Sequence, residues 1–215
     1  MPTLSESSSK DLLRRHGFAL LDERIVTTAE DAVIAARGVD RGNGVVAKLC
    51  GDAIAHKTER GLVRLGLRGD QAVGAAAQSL LDAATTADGD VTLLVAPMLR
   101  GNRELIAGVA DDPQFGKVVM LGIGGVLAEA IADVVFRLVP LQPLDAQEMI
   151  EDIAAQKLLG PFRGEPAVNR QHLVDTLMAL SAVAQLPEVV SVDINPLIVV
   201  DGDPIAVDAL IEVRR

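Results

Sequence analysis

The chain has 215 residues, 49% of them apolar and 23% charged, with a formal net charge of −10. This length is enough for one large domain or two small ones with a substantial core. The acidic balance argues against a general nucleic-acid binder, and the lack of Trp and Tyr argues against a surface on which bases stack. A nucleotide is still a possible ligand, held by a few local cations and backbone N–H groups.

Cysteine usage and the N-terminus bear on the compartment. Cys50 is the only cysteine, so the chain can form neither an internal disulfide nor a cysteine-cluster zinc site. The first residues do not combine a charged start with an apolar run, and no stretch of about 18 apolar residues is present. We expect a cytoplasmic protein with neither a membrane nor a nucleic acid among its partners.

The first half of the chain predicts short strands between three helices. The serine-rich segment Ser5–Ser9 offers N-caps to the first helix, and Thr28 begins the second, which has acidic residues in its first turn. In chain order, the predicted elements are a helix over 10–15, extended chain over 18–25, a helix over 28–37, strands over 45–49 and 62–67, a helix over 69–84 and a strand over 91–98.

The second half predicts further strands and two long helices. Asn169 is the expected N-cap of the last helix. The predicted elements are strands over 104–109 and 134–139, helices over 144–159 and 169–185, and a closing hairpin over 189–213, and residues 118–121 lead into a glycine cluster. Because several strand pairs have hairpin-length links, we predict an α/β protein built of two α+β lobes, with a seam near Ala96–Pro97 and the first helix packed on the second lobe.

The closing hairpin is the most informative stretch. Two runs rich in Val and Ile flank Asp201-Gly202, a strong turn signal. Side chains alternate along the first run. Ser191, Asp193 and Asn195 therefore lie on one face, and apolar residues lie on the other. Counting back across the turn brings Asp208 opposite Asn195 or one pair away. These oxygen donors suit Mg²⁺, although they would equally suit the solvent face of an ordinary amphipathic hairpin.

Three other features fit phosphate chemistry. Lys48 lies among apolar neighbours in a predicted strand, as either an edge-strand lysine or a phosphate-binding one. His56-Lys57-Thr58 is either a solvated turn or the site of a histidine that acts as acid, base or nucleophile. The glycine cluster Gly122–Gly125 is a weak signal alone, but its backbone can approach phosphates closely. Together with the hairpin, these parts match phosphoryl transfer.

In this order, the motifs resemble a known family. The chain is similar to the ATP-grasp β subunit, or β-type domain, of the NDP-forming acyl-CoA synthetases, such as ADP-forming acetyl-CoA synthetase, and more distantly to the succinyl-CoA synthetase β subunit. The matching segments span nearly the whole chain: 46–49, 56–58, 104–108, 112–116, 122–125 with Glu129 and Asp133, 137–140, 160–164, and 193–197 with Asp208-Ala209.

The resemblance implies one ATP-grasp domain over 1–215, with an N-terminal lobe of about 23–95, a C-terminal lobe of 1–22 plus 96–215, and a nucleotide cleft between them. It implies ATP/ADP and Mg²⁺ as cofactors and a CoA-binding α subunit on a separate chain. His56 would exchange a phosphoryl group with the nucleotide, and Asp193 would hydrogen-bond that histidine. The implied nucleotide-binding residues are Lys48, Val95, Ala96, Met98, Glu104, Gly124 and Gly125, and the implied metal ligands are Asn195 and Asp208.

One departure and two alternatives accompany the resemblance. Where the family has a Gly-Gly pair after the histidine motif, this chain has Gly61-Leu62, and Leu62 disfavours a positive φ there.

The expected activity is acyl-CoA + ADP + phosphate ⇌ acid + ATP + CoA through phosphohistidine, with the chain inactive unless an α subunit is present. The alternatives are a free-standing ATP-grasp carboxylate ligase, which would not need His56, and a regulatory module that binds ATP/ADP.

Overall fold

The computed structural model describes residues 2–51, 53–54, 57, 59–125 and 132–214, so His56 lies outside the described residues. The chain divides into two compact units. The N-terminal unit comprises residues 3–7 and 21–100, and the C-terminal unit comprises residues 1–2, 8–20 and 101–215. The division therefore falls after Arg100 rather than at the seam expected near residue 96. Within the described ranges, no helix is long and apolar enough to span a membrane.

The N-terminal unit is a four-stranded antiparallel sheet covered by two helices. Its elements are β1 (Arg24–Val26), α2 (Ala29–Val39), β2 (Val45–Cys50), β3 (Val63–Leu67), α3 (Asp70–Asp82) and β4 (Thr92–Pro97), after α1 (Glu6–Arg15), which begins in residues of this unit. The strand order is β1-β4-β2-β3. Alanines on α2 and α3 face the sheet, and such small side chains let the helices lie close to Leu49, Leu93 and Val95.

The C-terminal unit is a larger antiparallel sheet with the order β10-β8-β5-β6-β7, and β9 pairs with β8 beside β10. The strands are β5 (Glu104–Asp112), β6 (Gly116–Ile123), β7 (Val134–Leu138), β8 (Val189–Val200), β9 (Asp203–Ala206) and β10 (Leu210–Val213). The described helices after β7 are α4 (Pro143–Asp152), α5 (Gln156–Leu159) and α6 (Arg170–Ala184). Helix α6 packs on this sheet through fully buried leucines, which supply its core.

The last helix is confirmed, with Asn169 as its N-cap accepting the His172 N–H. Helix 144–159 is wrong as a single element, because residues 153–155 leave the helix. Asp133 accepts hydrogen bonds from the backbone N–H groups of Ala154 and Ala155, and the Gln156 amide donates to three carbonyls at the end of α4. These bonds satisfy the groups that a continuous helix would have paired internally.

Two strand predictions also need correction. The extended segment expected over 18–25 forms regular strand only from Arg24, with an isolated bridge between Leu20 and Ala206 before it. The second strand of the closing hairpin is interrupted at residues 207–209 and becomes β9 and β10. The expected face alternation of β8 is confirmed, because Val190, Val192 and Ile194 are buried while Asp193 and Asn195 are exposed.

Gly108 allows β5 and β8 to approach each other, which gives a first prediction. A Cβ built at this position would lie 2.4 Å from the carbonyl oxygen of Val192, and backbone cannot move aside easily. We expect Gly108→Ala to lower the free energy of unfolding by about 2 kcal/mol through overpacking. Gly38→Ala is the matched control, because Gly38 lies in α2 with no atom within 4 Å of the added Cβ.

Urea unfolding of the two variants beside the wild type measures this difference. The control is expected to be neutral or slightly stabilising, since alanine favours a helix interior. Equal stability of Gly108→Ala and wild type would contradict the tight strand approach.

Candidate functional site

Asn195 and Asp208 lie opposite each other in the strand register of the C-terminal unit. Leu197 pairs with Ala206 on one side of the interruption in the hairpin, and Asp193 pairs with Leu210 on the other. Counting inward from either pair brings Asn195 opposite Asp208. The backbone N–H of Val207 donates to the Pro196 carbonyl at 3.3 Å, which is the same register. The structure therefore supports the expected juxtaposition of the amide and the acid.

A β-bulge lies at the same point of β8. Leu105 on β5 pairs with Leu197, but Ala107 pairs with Ile194, so Asn195 and Pro196 stand together opposite a single residue of β5. A bulge of this kind bends the strand and redirects side chains. Together with the gap between β9 and β10, it releases Asn195 and Asp208 from regular strand pairing.

The acidic residues around this point interact electrostatically. Partial burial raises the pKa of the Asp193 carboxyl, and the negative charge of Asp208 raises it further. The Asp208 carboxylate also accepts a hydrogen bond from the Ala209 N–H at 2.9 Å. A bound cation would relieve the repulsion between the two carboxylates.

The donor set fits Mg²⁺ bound together with phosphates. Mg²⁺ prefers oxygen ligands and often takes only one or two from the protein, while water and substrate phosphates complete its shell. Within the described ranges, no three His, Cys, Asp or Glu residues form a cluster able to hold a metal by themselves. One amide and one carboxylate are within the ligand number at which Mg²⁺ keeps water and substrate phosphates in its shell.

A pocket of about 410 Å³ in the C-terminal unit contains three of the predicted nucleotide-binding residues, Glu104, Gly124 and Gly125. The Gly124 N–H donates to the Glu104 carbonyl at 2.8 Å. A Cβ on Gly124 would lie 3.1 Å from the carbonyl carbon of Leu105, and Gly125 has a φ of +81°. Both positions therefore favour glycine, and the bare backbone forms one wall of the pocket.

A buried arginine supports another wall of this pocket. The Arg103 guanidinium donates to the carbonyl groups of Leu158, Gly160 and Pro166 and pairs with the Glu165 carboxylate. Burial alone would raise the pKa of Glu165, but hydrogen bonds from Asn102 and Arg103 outweigh it and lower that pKa. Arg103 thereby fixes the loop that brings Phe162 and Arg163 to the pocket.

In the N-terminal unit, Lys48 lies on an interior strand, because β2 pairs with both β3 and β4. The edge-strand alternative for this lysine is therefore wrong. Its neighbours Ala47 and Leu49 belong to the core formed with the helices, whereas Lys48 points to the other face of the sheet. Its side chain is 10% exposed, so its charge requires compensation.

Glu6 supplies that compensation. Its carboxylate is fully buried and accepts a hydrogen bond from the Lys48 ammonium at 2.7 Å. The other carboxylate oxygen pairs with the ammonium of Lys57. One buried carboxylate therefore contacts two lysines, Lys48 on β2 and Lys57, the described residue of the histidine motif.

Two of the predicted nucleotide-binding residues, Val95 and Ala96, belong to β4, which lies between β1 and β2. Ala96 pairs with Val46 on the same sheet face as Lys48, whereas the Val95 side chain is buried in the helix-facing core. The Val95 side chain is therefore not available to a ligand, and in the sheet Val95 lies opposite Arg24 of β1 and Ala47 of β2. The Met98 N–H donates to the Gly44 carbonyl at 2.8 Å, just beyond the end of the strand.

The described residues around the histidine motif are anchored to the N-terminal unit. The Arg60 guanidinium forms a two-point ion pair with the buried Asp88 carboxylate. Its hydrogen bond to that carboxylate is the largest of the interactions that lower the pKa of Asp88. The Leu62 N–H donates to the Lys57 carbonyl. Leu62 itself is buried in the core, and Gly61 takes the positive φ of +67°. The family's second glycine is therefore replaced here by a core residue.

Sequence reasoning missed Glu6, Lys10 and Arg103. Lys10 is buried on α1, and its ammonium donates to the carbonyl of Val207, the residue before Asp208. All three are charged residues at buried positions, where composition predicts apolar ones. The i, i+4 spacing of Glu6 and Lys10 was the available signal, because it puts them on the same helix face as the buried Leu13.

Comparison with known proteins identifies the family. The model of the ATP-grasp domain matches residues 2–213. The chain belongs to the ATP-grasp family. It is 34% identical over 210 residues to the β subunit of acetate–CoA ligase [ADP-forming] I from Pyrococcus furiosus, covering 96% of this chain and 90% of that protein.

Solved structures agree with this assignment. Dinucleotide-forming acetyl-coenzyme A synthetase 1 of Ca. Korarchaeum cryptofilum, in complex with coenzyme A and Ca-AMPCP, is 32% identical, with a TM-score of 0.88 over 99% of this chain and 94% of that one. The same enzyme with Mg-AMPPCP, its phosphohistidine segment pointing towards the nucleotide binding site, is 33% identical, with a TM-score of 0.82 and coverage of 99% and 93%. The predicted mixed α/β architecture and ATP-grasp fold are confirmed.

Proposed function

We propose that this ATP-grasp chain is the nucleotide-binding β subunit of an ADP-forming acyl-CoA synthetase, which converts acyl-CoA, ADP and phosphate into acid, ATP and CoA. The observation that carries the proposal is the register that sets Asn195 opposite Asp208 at a bulge, in a chain related over 96% of its length to such a β subunit. An ordinary amphipathic hairpin has no need of a bulge and a strand break at the same position.

The proposed roles follow from the chemistry of each residue. Asn195 and Asp208 bind Mg²⁺, which neutralises the polyphosphate charge. Lys48 binds the α/β-phosphates, and the pocket of Glu104, Gly124 and Gly125 contributes to the nucleotide site, as do Val95, Ala96 and Met98 of the β4 segment. His56 exchanges the phosphoryl group with the nucleotide, and Asp193 hydrogen-bonds its imidazole. Phosphoryl transfer depends chiefly on such positioning and charge neutralisation.

The chain would need a partner for a complete reaction. The chemistry of CoA and the acyl group belongs to an α subunit on a separate chain, which would deliver the phosphoryl group to His56. Because ADP, CoA and acyl-CoA are its reactants, we place the complex in the cytoplasm.

The test is co-purification of the tagged chain from its native host, followed by assay of the complex with ADP, phosphate and acetyl-CoA or longer acyl-CoAs. We expect a CoA-binding protein to co-purify and ATP to form only when all three substrates are present. A complex that binds ADP but makes no ATP from any acyl-CoA would favour the regulatory module instead.

Lys48 gives a second prediction. Replacing it with Met is expected to weaken MgADP binding by about 10–100-fold, the value of a charge-assisted hydrogen bond. The fold should survive, because Lys57 still pairs with Glu6. Calorimetric titration with MgADP measures the loss, and Lys157→Met, an exposed lysine on α5, is the control. Wild-type affinity in Lys48→Met would remove Lys48 from the nucleotide site.

A further inference from the structure

Arg163 lies at the tip of a two-residue hairpin that lines the pocket of about 410 Å³ in the C-terminal unit. Phe162 and Glu165 exchange both backbone hydrogen bonds across this turn, at 3.1 and 2.9 Å. Arg163 and Gly164 have φ values of +48° and +85°, as in a type I′ turn, whose first position favours asparagine or aspartate. The turn itself does not require an arginine, so the guanidinium needs another explanation.

The hairpin is fixed at its base by buried polar contacts. The Arg103 guanidinium donates to the Gly160 carbonyl before the hairpin and to the Glu165 carboxylate at its end. Asn102 donates to the same carboxylate through its backbone N–H and its side-chain amide. These contacts hold the backbone of Arg163 in place, and a preorganised group loses less conformational freedom when a ligand binds.

The Arg163 guanidinium keeps its hydrogen-bond donors available. Its Cζ atom lies 5.4 Å from the centroid of the Phe162 ring, a contact that attracts the cation without supplying a lone-pair acceptor. Within the described part of the chain, no carboxylate, carbonyl or hydroxyl group accepts from this side chain. Arg163 is also exposed, so the planar fork of its guanidinium is accessible to a ligand from solution.

The surroundings of Arg163 suit a phosphate group. Arginine recognises phosphate through two parallel hydrogen bonds. The bare backbone at Gly124 and Gly125, where close contacts or a positive φ favour glycine, lets a tetrahedral anion approach this wall of the pocket.

The same pocket contains a carboxylate that a nucleoside phosphate also satisfies. Glu104 is half-buried and lines the pocket, and no ion pair joins it to Arg163 among the described residues. A carboxylate accepts hydrogen bonds from hydroxyl groups, and ribose supplies them. A ligand with both a phosphate and a sugar therefore matches the two charges better than a simple anion does.

We propose that Arg163 binds a phosphate group of the nucleotide through its guanidinium. This inference rests on the proposed function and adds to the nucleotide site a cation from the hairpin 162–165. Arg163 then contributes to affinity directly, while the backbone of the hairpin needs only the two contacts that Arg103 and Asn102 make with its base.

The test is calorimetric titration of the full chain with MgADP. Arg163→Asn removes the guanidinium and places a favoured residue at the first position of the turn. We expect MgADP binding to weaken by about 10–100-fold, the value of a charge-assisted hydrogen bond, while the unfolding temperature does not fall. Arg163→Lys, which keeps the charge without the planar fork, should lose less affinity. Arg214→Asn, which removes an exposed guanidinium paired with Asp111 in the same unit, should keep wild-type affinity.

Inorganic phosphate distinguishes the nucleotide from a free anion as the source of the phosphate group. If phosphate raises the unfolding temperature of the wild type but not of Arg163→Asn, and both bind MgADP equally, the assignment to the nucleotide is overturned in favour of free phosphate. Equal MgADP affinity without such a phosphate effect, or an equal loss in Arg214→Asn, would remove Arg163 from the site while nucleotide binding stands. A wild-type chain that does not bind MgADP would overturn the proposed function, and this inference with it.

Discussion

Replacing both Asn195 and Asp208 with alanine is expected to abolish the Mg²⁺-dependent part of nucleotide binding. Mutation of a residue that merely hydrogen-bonds a metal ligand typically lowers the metal affinity by about 10–100-fold. Loss of both ligands should therefore remove the metal. The measurement is calorimetric titration with ADP, once in MgCl₂ and once in EDTA. The double variant in MgCl₂ should then bind ADP no better than the wild type does in EDTA.

A matched control is available on α6. Gln171 and Asp175 form an exposed amide–carboxylate pair at 2.9 Å in the same unit, so Gln171→Ala plus Asp175→Ala removes the same chemical groups elsewhere. This control should keep the full Mg²⁺ effect. If the Asn195/Asp208 variant also keeps it, the metal is bound at another place and the hairpin is only a solvent-exposed turn of the sheet.

His56→Ala is expected to lower ATP formation by the α–β complex by at least about a thousandfold, because it removes the proposed covalent carrier. Nucleotide binding by the chain should persist, since the Mg²⁺ ligands and Lys48 are unchanged. The measurement is initial rate with acetyl-CoA, ADP and phosphate, combined with MgADP titration of the same preparation.

The control for this variant is His172→Ala. His172 is a half-exposed histidine on α6 that pairs with Asp203, and its loss should leave the rate unchanged. A free-standing ATP-grasp ligase, which activates its carboxylate directly, has no step for a carrier histidine. Full activity of His56→Ala would therefore contradict the phosphohistidine relay and favour that alternative.

The closing hairpin shows what local pattern can predict. Alternation along β8 and the Asp201-Gly202 turn brought Asp208 opposite Asn195 or one pair away, because side chains in a strand repeat every two residues and a tight turn restricts the register. The bulge at Asn195-Pro196 was not predictable in the same way. It depends on the pairing of β8 with β5, about ninety residues away in the chain.

Long-range polar contacts account for most of what the sequence did not predict. The break between α4 and α5 depends on Asp133, and the pairing of Lys48 depends on Glu6, 42 positions earlier. Periodicity reports which face of an element is apolar, but it does not report which distant charge neutralises a buried one. Lys48 was therefore recognised as needing a partner, and only the fold shows which residue it is.

The most direct test of the metal-anchored nucleotide site is anomalous diffraction from crystals of the full chain grown with Mn²⁺ and ADP. Mn²⁺ takes the same hard oxygen ligands as Mg²⁺. The expected result is an anomalous peak about 2 Å from both the Asn195 amide oxygen and the Asp208 carboxylate, with phosphate oxygens completing the shell. A peak bound to the ADP phosphates but away from both side chains would contradict it.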